Sequence, residues 1–223
     1  MENEDPLAPP PASTPAGASD GAAAEPSPPA RKRPRPGERR VQILQALAAM
    51  LEQPGAERIT TAALAARLSV SEAALYRHFA SKAQMFEALI DFIEQSVFSL
   101  VQQIAERDRP PAERAAQVLR MLMQFAEKNP GMVRVMVGDA LVLEHERLQQ
   151  RMNLFFDKLE AQWRQILRGG PSASDTPTAD AQLRATLLVG FAMGRLQRFC
   201  RSGFRRLPSE QLDGSLALVL QGL

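Results

Sequence analysis

The polar residues whose types and spacing suit chemistry lie in one short stretch of the chain, between residues 60 and 82. Two adjacent threonines precede an apolar run, where the first turn of a helix offers hydroxyls and free N–H groups to a phosphate. A second short helix follows, with small residues at its start and aromatic and basic residues one turn later. The candidate binding residues are Thr60, Thr61, Ser71, Glu72, Ala73, Tyr76, Arg77, His78 and Lys82. Such side chains reach phosphates, sugars and base edges, so the predicted chemistry is noncovalent binding of DNA.

Several of these residues have a second interpretation. Tyr76 could cover a small apolar core, and Arg77 could be an ordinary solvated residue of a helix surface. Leu75 and Phe79 are four positions apart on the apolar side and are expected in the core. A metal site at His78 has no support, because the only other histidine lies far along the chain. No metal ion or cofactor is therefore expected.

Apolar residues recur at helical spacing through the rest of the chain and β-branched runs are few, so the fold class is all-α. About nine helices are expected, over residues 39–52, 61–68, 71–79, 81–109, 112–128, 132–138, 141–168, 180–201 and 209–221. Ser71 and Ser81 are placed to cap the third and fourth helices, the latter in a capping box with Gln84. The first three helices form a helix-turn-helix unit, which lays its last helix in the major groove of DNA.

Charge and proline are unevenly distributed along the chain, although its formal net charge is only +2. Residues 1–30 carry five acidic residues and no basic one, and ten of the 17 prolines precede residue 37. We therefore expect a disordered Pro/Ala-rich tail over 1–36, a DNA-binding domain over 37–82, and a helical dimerisation and partner-binding domain over 83–223. The tail ends in a basic arm at 31–36, which either contacts DNA or only aids solubility; we favour contact with DNA. Its basic residues are Arg31, Lys32, Arg33 and Arg35.

Two features of the larger domain indicate protein partners. On the fourth helix, Phe92 lies about 100° from the apolar stripe, where an aromatic side chain either binds a partner or packs on the first three helices. On the eighth helix, Gly190 and Gly194 are spaced as GxxxG. Two glycines cost a soluble helix about 2 kcal/mol relative to alanine, which close approach of another helix would explain. We expect this helix and the last one to form the interface of a homodimer.

Several classes of protein are excluded by what the sequence lacks. The single cysteine, Cys200, cannot form an internal disulfide and is expected to be a buried small apolar residue. No run of 18 apolar residues exists, and the acidic N-terminus is unlike a signal peptide. Glycine-rich phosphate loops, metal-ligand spacings and a G-x-S-x-G motif are all absent. An enzyme is therefore not expected.

The stretch from Ile59 to Lys82 resembles the DNA-binding domain of TetR-type regulators. The residues that carry the resemblance are Ile59-Thr60-Thr61-Ala62-Ala63-Leu64-Ala65, Val70-Ser71-Glu72-Ala73-Ala74-Leu75-Tyr76-Arg77-His78-Phe79 and Ser81-Lys82. The chain departs from the family at Ser69, where glycine is usual at the turn. If that turn needs a positive φ, a residue other than glycine costs about 1 kcal/mol, which a folded domain tolerates.

Beyond this domain the chain is similar to the nucleoid occlusion factors of the same family. The similar segments are Met85–Glu94, Glu127–Gly131, Leu148–Asn153 and Leu159–Gln162. The resemblance implies a homodimer on double-stranded DNA, located in the cytoplasm on the nucleoid. It also implies binding to FtsZ, the tubulin-like division protein, and inhibition of septum assembly over the chromosome. A two-fold dimer would favour a palindromic DNA site.

The alternative within the same family is a transcriptional repressor that a small molecule releases from DNA. Such a ligand needs a pocket with a few convergent polar groups among apolar walls. In the larger domain only Gln124, Asp139 and His145 are obvious candidates for those groups. A nucleoid occlusion factor is therefore the first hypothesis.

Overall fold

A computed structural model describes residues 37–53, 59–168 and 177–220. Its α-helices are α1 (Glu38–Leu51), α2 (Thr61–Arg67), α3 (Glu72–Tyr76), α4 (Lys82–Ala105), α5 (Pro111–Lys128), α6 (Pro130–Met136), α7 (Glu146–Arg168), α8 (Pro177–Arg201) and α9 (Leu212–Val219), and a 3-10 turn covers Asp139–Leu141. Every regular element in the described part is helical, which confirms the all-α prediction. The predicted basic arm, with Arg31, Lys32, Arg33 and Arg35, lies outside the described residues.

Helices α1 to α3 pack around a small apolar core. Leu47 of α1, Leu64 of α2 and the predicted core residues Leu75 and Phe79 are all buried. The turn between α2 and α3 has Ser69 at φ 53°, so it does require the left-handed conformation that glycine adopts most easily. The N–H groups of Ser69 and Val70 bond back to carbonyls of α2, which satisfies the end of that helix.

Helix α4 runs from this small unit into the larger domain and packs alongside α7. Ion pairs join the two helices in the same order along both, so the helices run parallel. Glu87 pairs with Arg147 at 2.7 Å, and Glu94 pairs with Arg151 at 2.7 Å. Asp91 also bonds to Arg151, and the Phe98 and Phe155 rings follow with centroids 5.3 Å apart. The other members of the domain, α5 and α8, bury apolar faces against α7, where the Trp163 indole donates to the Ala115 carbonyl at 3.1 Å.

The starts of four helices differ from the sequence-based expectation. Helix α6 begins at Pro130 and α8 at Pro177, because proline suits the first helical position, where no N–H partner is needed. Helix α7 begins at Glu146 and not near residue 141, since a 3-10 turn comes first and His145 Nδ1 then accepts the Arg147 N–H at 3.2 Å. Helix α9 begins at Leu212, after Gln211 breaks the helical path at φ 52°.

Three side-chain expectations also need correction. Helical spacing assigns Val41 and Leu100 to apolar stripes, yet they are 53% and 38% exposed, because each lies at the margin of its stripe. The Ser81 hydroxyl caps α4 by accepting from Gln84 N–H at 3.2 Å, as expected. The Gln84 side chain, however, accepts from Ala80 N–H at 2.9 Å, so the reciprocal half of the capping box reaches one residue further back.

Cys200 is buried, as predicted, near the end of α8. Its Sγ donates to Asp139 Oδ2 at 3.1 Å. Burial and the neighbouring Asp139 raise the pKa of the thiol to about 12, so it stays protonated near neutral pH. Among the described residues, no helix is long and apolar enough to cross a membrane.

Helix α6 of the larger domain comes very close to α1 of the small unit at Gly131. A Cβ on this residue would lie 2.1 Å from the Ala48 carbonyl oxygen of α1. Only glycine lets the two helix backbones come this close, because any side chain would overlap with main-chain atoms that cannot rotate away. The docking of α1 on α6 therefore depends on this glycine.

We predict that Gly131→Ala destabilises the protein by at least about 2 kcal/mol through this overlap. The measurement is the free energy of unfolding from urea denaturation. Pro130→Ala is the matched control, because position 130 is the first of α6 and the change should cost less than about 1 kcal/mol. Equal stability of the Gly131→Ala and parent proteins would show that α1 and α6 are not in close contact.

Candidate nucleic-acid interface

Three of the candidate binding residues form one hydrogen-bonded network between α2 and α3. Thr61 Oγ1 donates to Glu72 Oε2 at 2.6 Å, and the Tyr76 hydroxyl donates to Thr61 Oγ1 at 3.5 Å. Glu72 and Tyr76 are exposed and Thr61 is half-buried. The network fixes the first turns of the two helices relative to each other on a solvent-facing surface. Neither the pairing nor its geometry was visible in the sequence, although each residue was named.

The other two hydroxyls at this surface cap the helices. Thr60 Oγ1 accepts from Ala63 N–H at 3.1 Å, and Ser71 Oγ accepts from Ala74 N–H at 3.3 Å. Each hydroxyl keeps its own proton available for a further acceptor such as a phosphate oxygen. Beside Ser71, Ala73 is exposed and adds no bulk, so the first turn of α3 is open to close approach.

The end of α3 is held against α1 by a residue that sequence reasoning missed. Arg40 Nη1 donates to the His78 carbonyl at 2.5 Å, and its guanidinium lies 4.1 Å from the centre of the buried Phe79 ring. No sequence pattern distinguishes Arg40 from the other basic residues near the start of α1. The nearby Arg77 is exposed and the His78 side chain is half-buried. Arg40 therefore positions α3, and Arg77 extends from the surface beside it.

Lys82 lies at the first position of α4, where its Nζ pairs with Glu144 Oε1. The Lys82 side chain is 28% exposed and that of Glu144 is 11% exposed, so the pair is only partly open to water. Lys82 must leave Glu144 to serve a phosphate as the sequence predicts. No local pattern signals the pairing, because the two residues are 62 positions apart.

The predicted partner-binding and dimer residues are on other surfaces. Phe92 is 48% exposed on α4, on a different face from the one that contacts α7. Gly190 and Gly194 are exposed on α8, and a Cβ on either would meet no atom within 4 Å. Leu183 and Leu187 extend the same exposed face of α8. In the described part of the chain, no other helix approaches the two glycines.

The three candidate ligand-pocket residues do not form a pocket wall. Gln124 and His145 are exposed, and the Asp139 carboxylate accepts a hydrogen bond from the Cys200 thiol. A groove of about 650 Å³ between α4, α5 and α7 is lined by other residues, among them Phe98, Arg114 and Gln162. In the described ranges no group of three or more His, Cys, Asp or Glu residues could hold a metal ion.

Comparison with known proteins covers both parts of the chain. Residues 43–89 match the family described as bacterial regulatory proteins, tetR family, and residues 112–223 match the SlmA-like tetracyclin repressor-like C-terminal domain. The chain is similar to proteins named nucleoid occlusion factor SlmA. The one from Idiomarina loihiensis is 46% identical over 83% of this chain and 95% of its own. Those from Aliivibrio fischeri (strain MJ11) and Colwellia psychrerythraea are 48% and 49% identical, over 83% and 78% of this chain and 96% and 89% of theirs.

Solved structures share the fold at much lower identity. The FadR regulator from Bacillus subtilis, in complex with stearoyl-CoA, aligns with a TM-score of 0.63 and 14% identity over 82% of this chain and 98% of its own. The MbdR regulator from Azoarcus sp. CIB aligns with a TM-score of 0.67 and 16% identity over 82% of this chain and 97% of its own. These likenesses confirm the helical fold with its N-terminal helix-turn-helix.

We predict that Glu144→Gln strengthens DNA binding by up to about fivefold, because it releases Lys82 from a partly exposed ion pair worth at most about 1 kcal/mol. Lys82→Gln should weaken binding and reduce the slope of log affinity against log salt by about 0.9 for each protomer, or about 1.8 for a dimer. The measurement is fluorescence anisotropy of a labelled duplex across a salt series.

A double variant and a neighbouring ion pair serve as controls. In a Lys82→Gln background, Glu144→Gln should change the affinity no further. Glu87→Gln opens the next ion pair along α4, with Arg147, and should leave DNA affinity within about twofold of the parent. An equal gain from Glu87→Gln would contradict a specific role for Lys82.

Proposed function

We propose, from the premise that the chain belongs to the SlmA family of TetR-type proteins, that it is a DNA-binding nucleoid occlusion factor and not an enzyme. As a DNA-bound homodimer in the cytoplasm, on the nucleoid, it binds FtsZ and inhibits septum assembly over the chromosome. The observation that carries this proposal is the similarity to proteins named nucleoid occlusion factor SlmA, at 46% to 49% identity over nearly their whole length. The helix-turn-helix alone would serve a repressor equally well.

The proposed work is divided between two parts of the chain. Residues 37–82, with the basic arm at 31–36, bind DNA, and residues 83–223 form the dimer and bind the partner. Exposed polar groups on α2 and α3 support the first assignment, and exposed apolar groups on α4 and α8 support the second. Helix α4 joins the two parts, because it begins at Lys82 and carries Phe92.

In the proposed DNA complex, the first turn of α3 enters the major groove. Ser71 and Ala73 allow the helix end to come close, while Arg77 and His78 reach base edges or the backbone. Thr60 offers its hydroxyl proton to a phosphate oxygen. Thr61 donates its own proton to Glu72 and accepts from Tyr76, so it holds both side chains in place. Such preorganisation lowers the entropy lost on binding.

Glu72 needs separate treatment because a carboxylate beside DNA is repelled by phosphates. Its hydrogen bond from Thr61 partly offsets its charge and fixes its direction. A carboxylate held in the major groove can accept a hydrogen bond from the amino group of cytosine. Glu72 is therefore assigned to base selection and not to affinity.

The proposed dimer interface is the exposed face of α8 together with α9. Leu183, Leu187, Gly190 and Gly194 follow one another at spacings of four, three and four, so they share one side of the helix. Leu218 of α9 is 75% exposed and offers further apolar surface. Burying one leucine side chain contributes about 1.5–3 kcal/mol. A two-fold interface contains two copies of each residue, so each leucine contributes from both protomers.

We predict that Leu187→Asp converts the dimer into monomers and weakens binding to a palindromic duplex at least tenfold, because one reading helix is lost per complex. The oligomeric state is measured by analytical ultracentrifugation. Leu143→Asp is the matched control, since Leu143 is similarly exposed but precedes α7 and lies outside this face. A Leu187→Asp protein that stays dimeric would remove α8 from the interface.

The proposed partner surface centres on Phe92. The hydroxyl of Ser99, on the same face of α4, donates to the Ser96 carbonyl at 3.2 Å, so its polar group is satisfied within the helix. Phe92 therefore has neighbours that neither compete for hydrogen bonds nor cover its ring. An exposed aromatic of this kind is a common anchor for a protein partner.

We predict that the protein with its DNA reduces the mass of FtsZ polymers formed with GTP, as measured by sedimentation and light scattering. The Phe92→Ala protein, which should fold and bind DNA normally, is expected to lose most of this effect. Urea denaturation and duplex binding check that the variant is otherwise intact.

Two outcomes would change the proposal. No effect of the parent protein on the polymers would favour the TetR-type repressor released by a small molecule. A Phe92→Ala protein as active as the parent would keep the function but remove Phe92 from the partner surface.

A further inference from the structure

The end of α8 and the connection to α9 form a strongly basic surface. Residues 195–206 contain five arginines and no acidic residue. Four of the five are exposed, and we call them the arginine patch: Arg198, Arg201, Arg205 and Arg206.

The fifth arginine, Arg195, has a structural role, because its side chain is held by contacts within the protein. Its guanidinium donates to the carbonyls of Pro208 and Glu210 at 2.9 and 2.6 Å, and to Ser215 Oγ at 2.9 Å. It also lies 4.6 Å from the centre of the Phe191 ring. Burial, and then the charge of the neighbouring Arg198, lower its pKa. Arg195 therefore holds the connection in place and already feels the positive potential of the patch.

The arginine patch, in contrast, has almost no internal partners. Arg205 donates to the Ser202 carbonyl at 3.0 Å, and in the described part of the chain no member of the patch makes an ion pair. Of the acidic residues nearby, Asp139 is bonded to Cys200 and Glu127 accepts from the Ser209 N–H. Glu210 lines a cleft of about 190 Å³ with Arg198 and Arg206. The positive charge of the four guanidinium groups is therefore poorly neutralised within the protein, which favours a polyanionic partner.

The patch lies at the end of the larger domain that adjoins the DNA-binding helices. The connection that carries it is tied to α5 by the Ser209 N–H, which donates to Glu127 Oε1 at 3.0 Å. It is tied to α6 by Arg134, whose guanidinium lies 5.2 Å from the centre of the Phe204 ring. Helix α6 is itself packed on α1 at Gly131. The patch and the reading unit are thus joined to the same short helix.

The proposed dimer would bring two copies of the patch together. Arg198 and Arg201 lie one to two turns beyond Gly194 on α8, so both patches come close to the two-fold axis if α8 packs on its mate. Eight guanidinium groups near one axis repel each other unless an anion neutralises them. The midpoint of a palindromic duplex lies on the same axis.

We infer that the arginine patch binds the phosphate backbone of the duplex at the middle of the DNA site, between the two half-sites read by α3. The inference rests on the proposed DNA-binding function and extends it to a surface outside the helix-turn-helix. Planar guanidinium groups suit phosphate oxygens because they donate two parallel hydrogen bonds. The contacts carry no sequence information, so they add affinity and salt dependence without changing which bases are read.

The test is the slope of log affinity against log salt for a specific duplex. The variant is Arg201→Gln with Arg206→Gln, which removes four guanidinium groups from a dimer. The slope should fall by about 2 or more, out of a maximum near 3.6, at about 0.9 for each neutralised phosphate. A variant with lysine at both positions should recover most of the slope, because it keeps the charge.

The matched control is Arg107→Gln with Arg168→Gln. Arg107 is exposed just after the end of α4, and Arg168 is the exposed last residue of α7. Both lie at the C-terminal ends of these parallel helices, away from Lys82 and Glu144. This control has the same net charge as the patch variant, and its slope should stay within about 0.5 of the parent. An equal fall in both variants would overturn the inference, because overall charge would then explain it.

A second measurement locates the contact on the DNA. Uncharged methylphosphonate linkages at the centre of the duplex should lower the slope for the parent protein but not for the patch variant. A patch variant that keeps the parent slope yet loses binding to FtsZ would assign the surface to an acidic protein and overturn the inference. If the parent itself failed to bind any duplex, the proposed function would fall first, so the two failures are distinguishable.

Discussion

The packing of α6 against α1 at Gly131 is the contact on which the rest of the structure depends. A Cβ at this position would lie 2.1 Å from the Ala48 carbonyl oxygen, so the helices meet backbone to backbone. Through α6 this contact also fixes the chain that precedes α7 and the connection that follows α8. The orientation of the small three-helix unit is thereby coupled to both ends of the larger domain. A close contact between main chains is stiff, because no side-chain rotation can relieve it.

Charge acts in this protein through its placement and not through its sum. A net charge of +2 is small, yet α4 and α7 are joined by interhelical ion pairs. The arginine patch makes no ion pair among the described residues. The paired charges fix helix positions at little cost in repulsion. The unpaired ones concentrate positive potential at one end of the larger domain, where it can act on a polyanion.

Local features of the fold could be predicted from the sequence, whereas contacts between distant segments could not. Ser71 and Ser81 cap helices as expected, because capping depends only on the next three residues. Gly131 instead reads as part of a loop break after Asn129, and its real role depends on α1, more than 80 residues earlier. The pairing of Lys82 with Glu144 was equally out of reach, since surface charges pair with whatever the fold brings near.

The same distinction applies to the candidate sites. Thr61, Glu72 and Tyr76 could be named from residue type and position on short helices, but their network needs the crossing of α2 and α3. Helical periodicity places Phe92 off the apolar stripe, but the structure was needed to show that its face is exposed and not packed on the first three helices.

In the proposed function, helix α4 joins the DNA-binding unit to the partner surface. Lys82 at its first position and Phe92 ten residues later are about 15 Å apart along one continuous helix, at about 1.5 Å per residue. A helix braced by ion pairs to α7 does not bend between them, so a partner on the Phe92 face is held at a fixed height above the DNA. If Lys82 left Glu144 to bind a DNA phosphate, Glu144 would lose its ion-pair partner. The Glu87–Arg147 pair lies next along the two helices. In the proposed function, DNA thus acts at the first turn of α4 and the partner acts near the middle of the same helix.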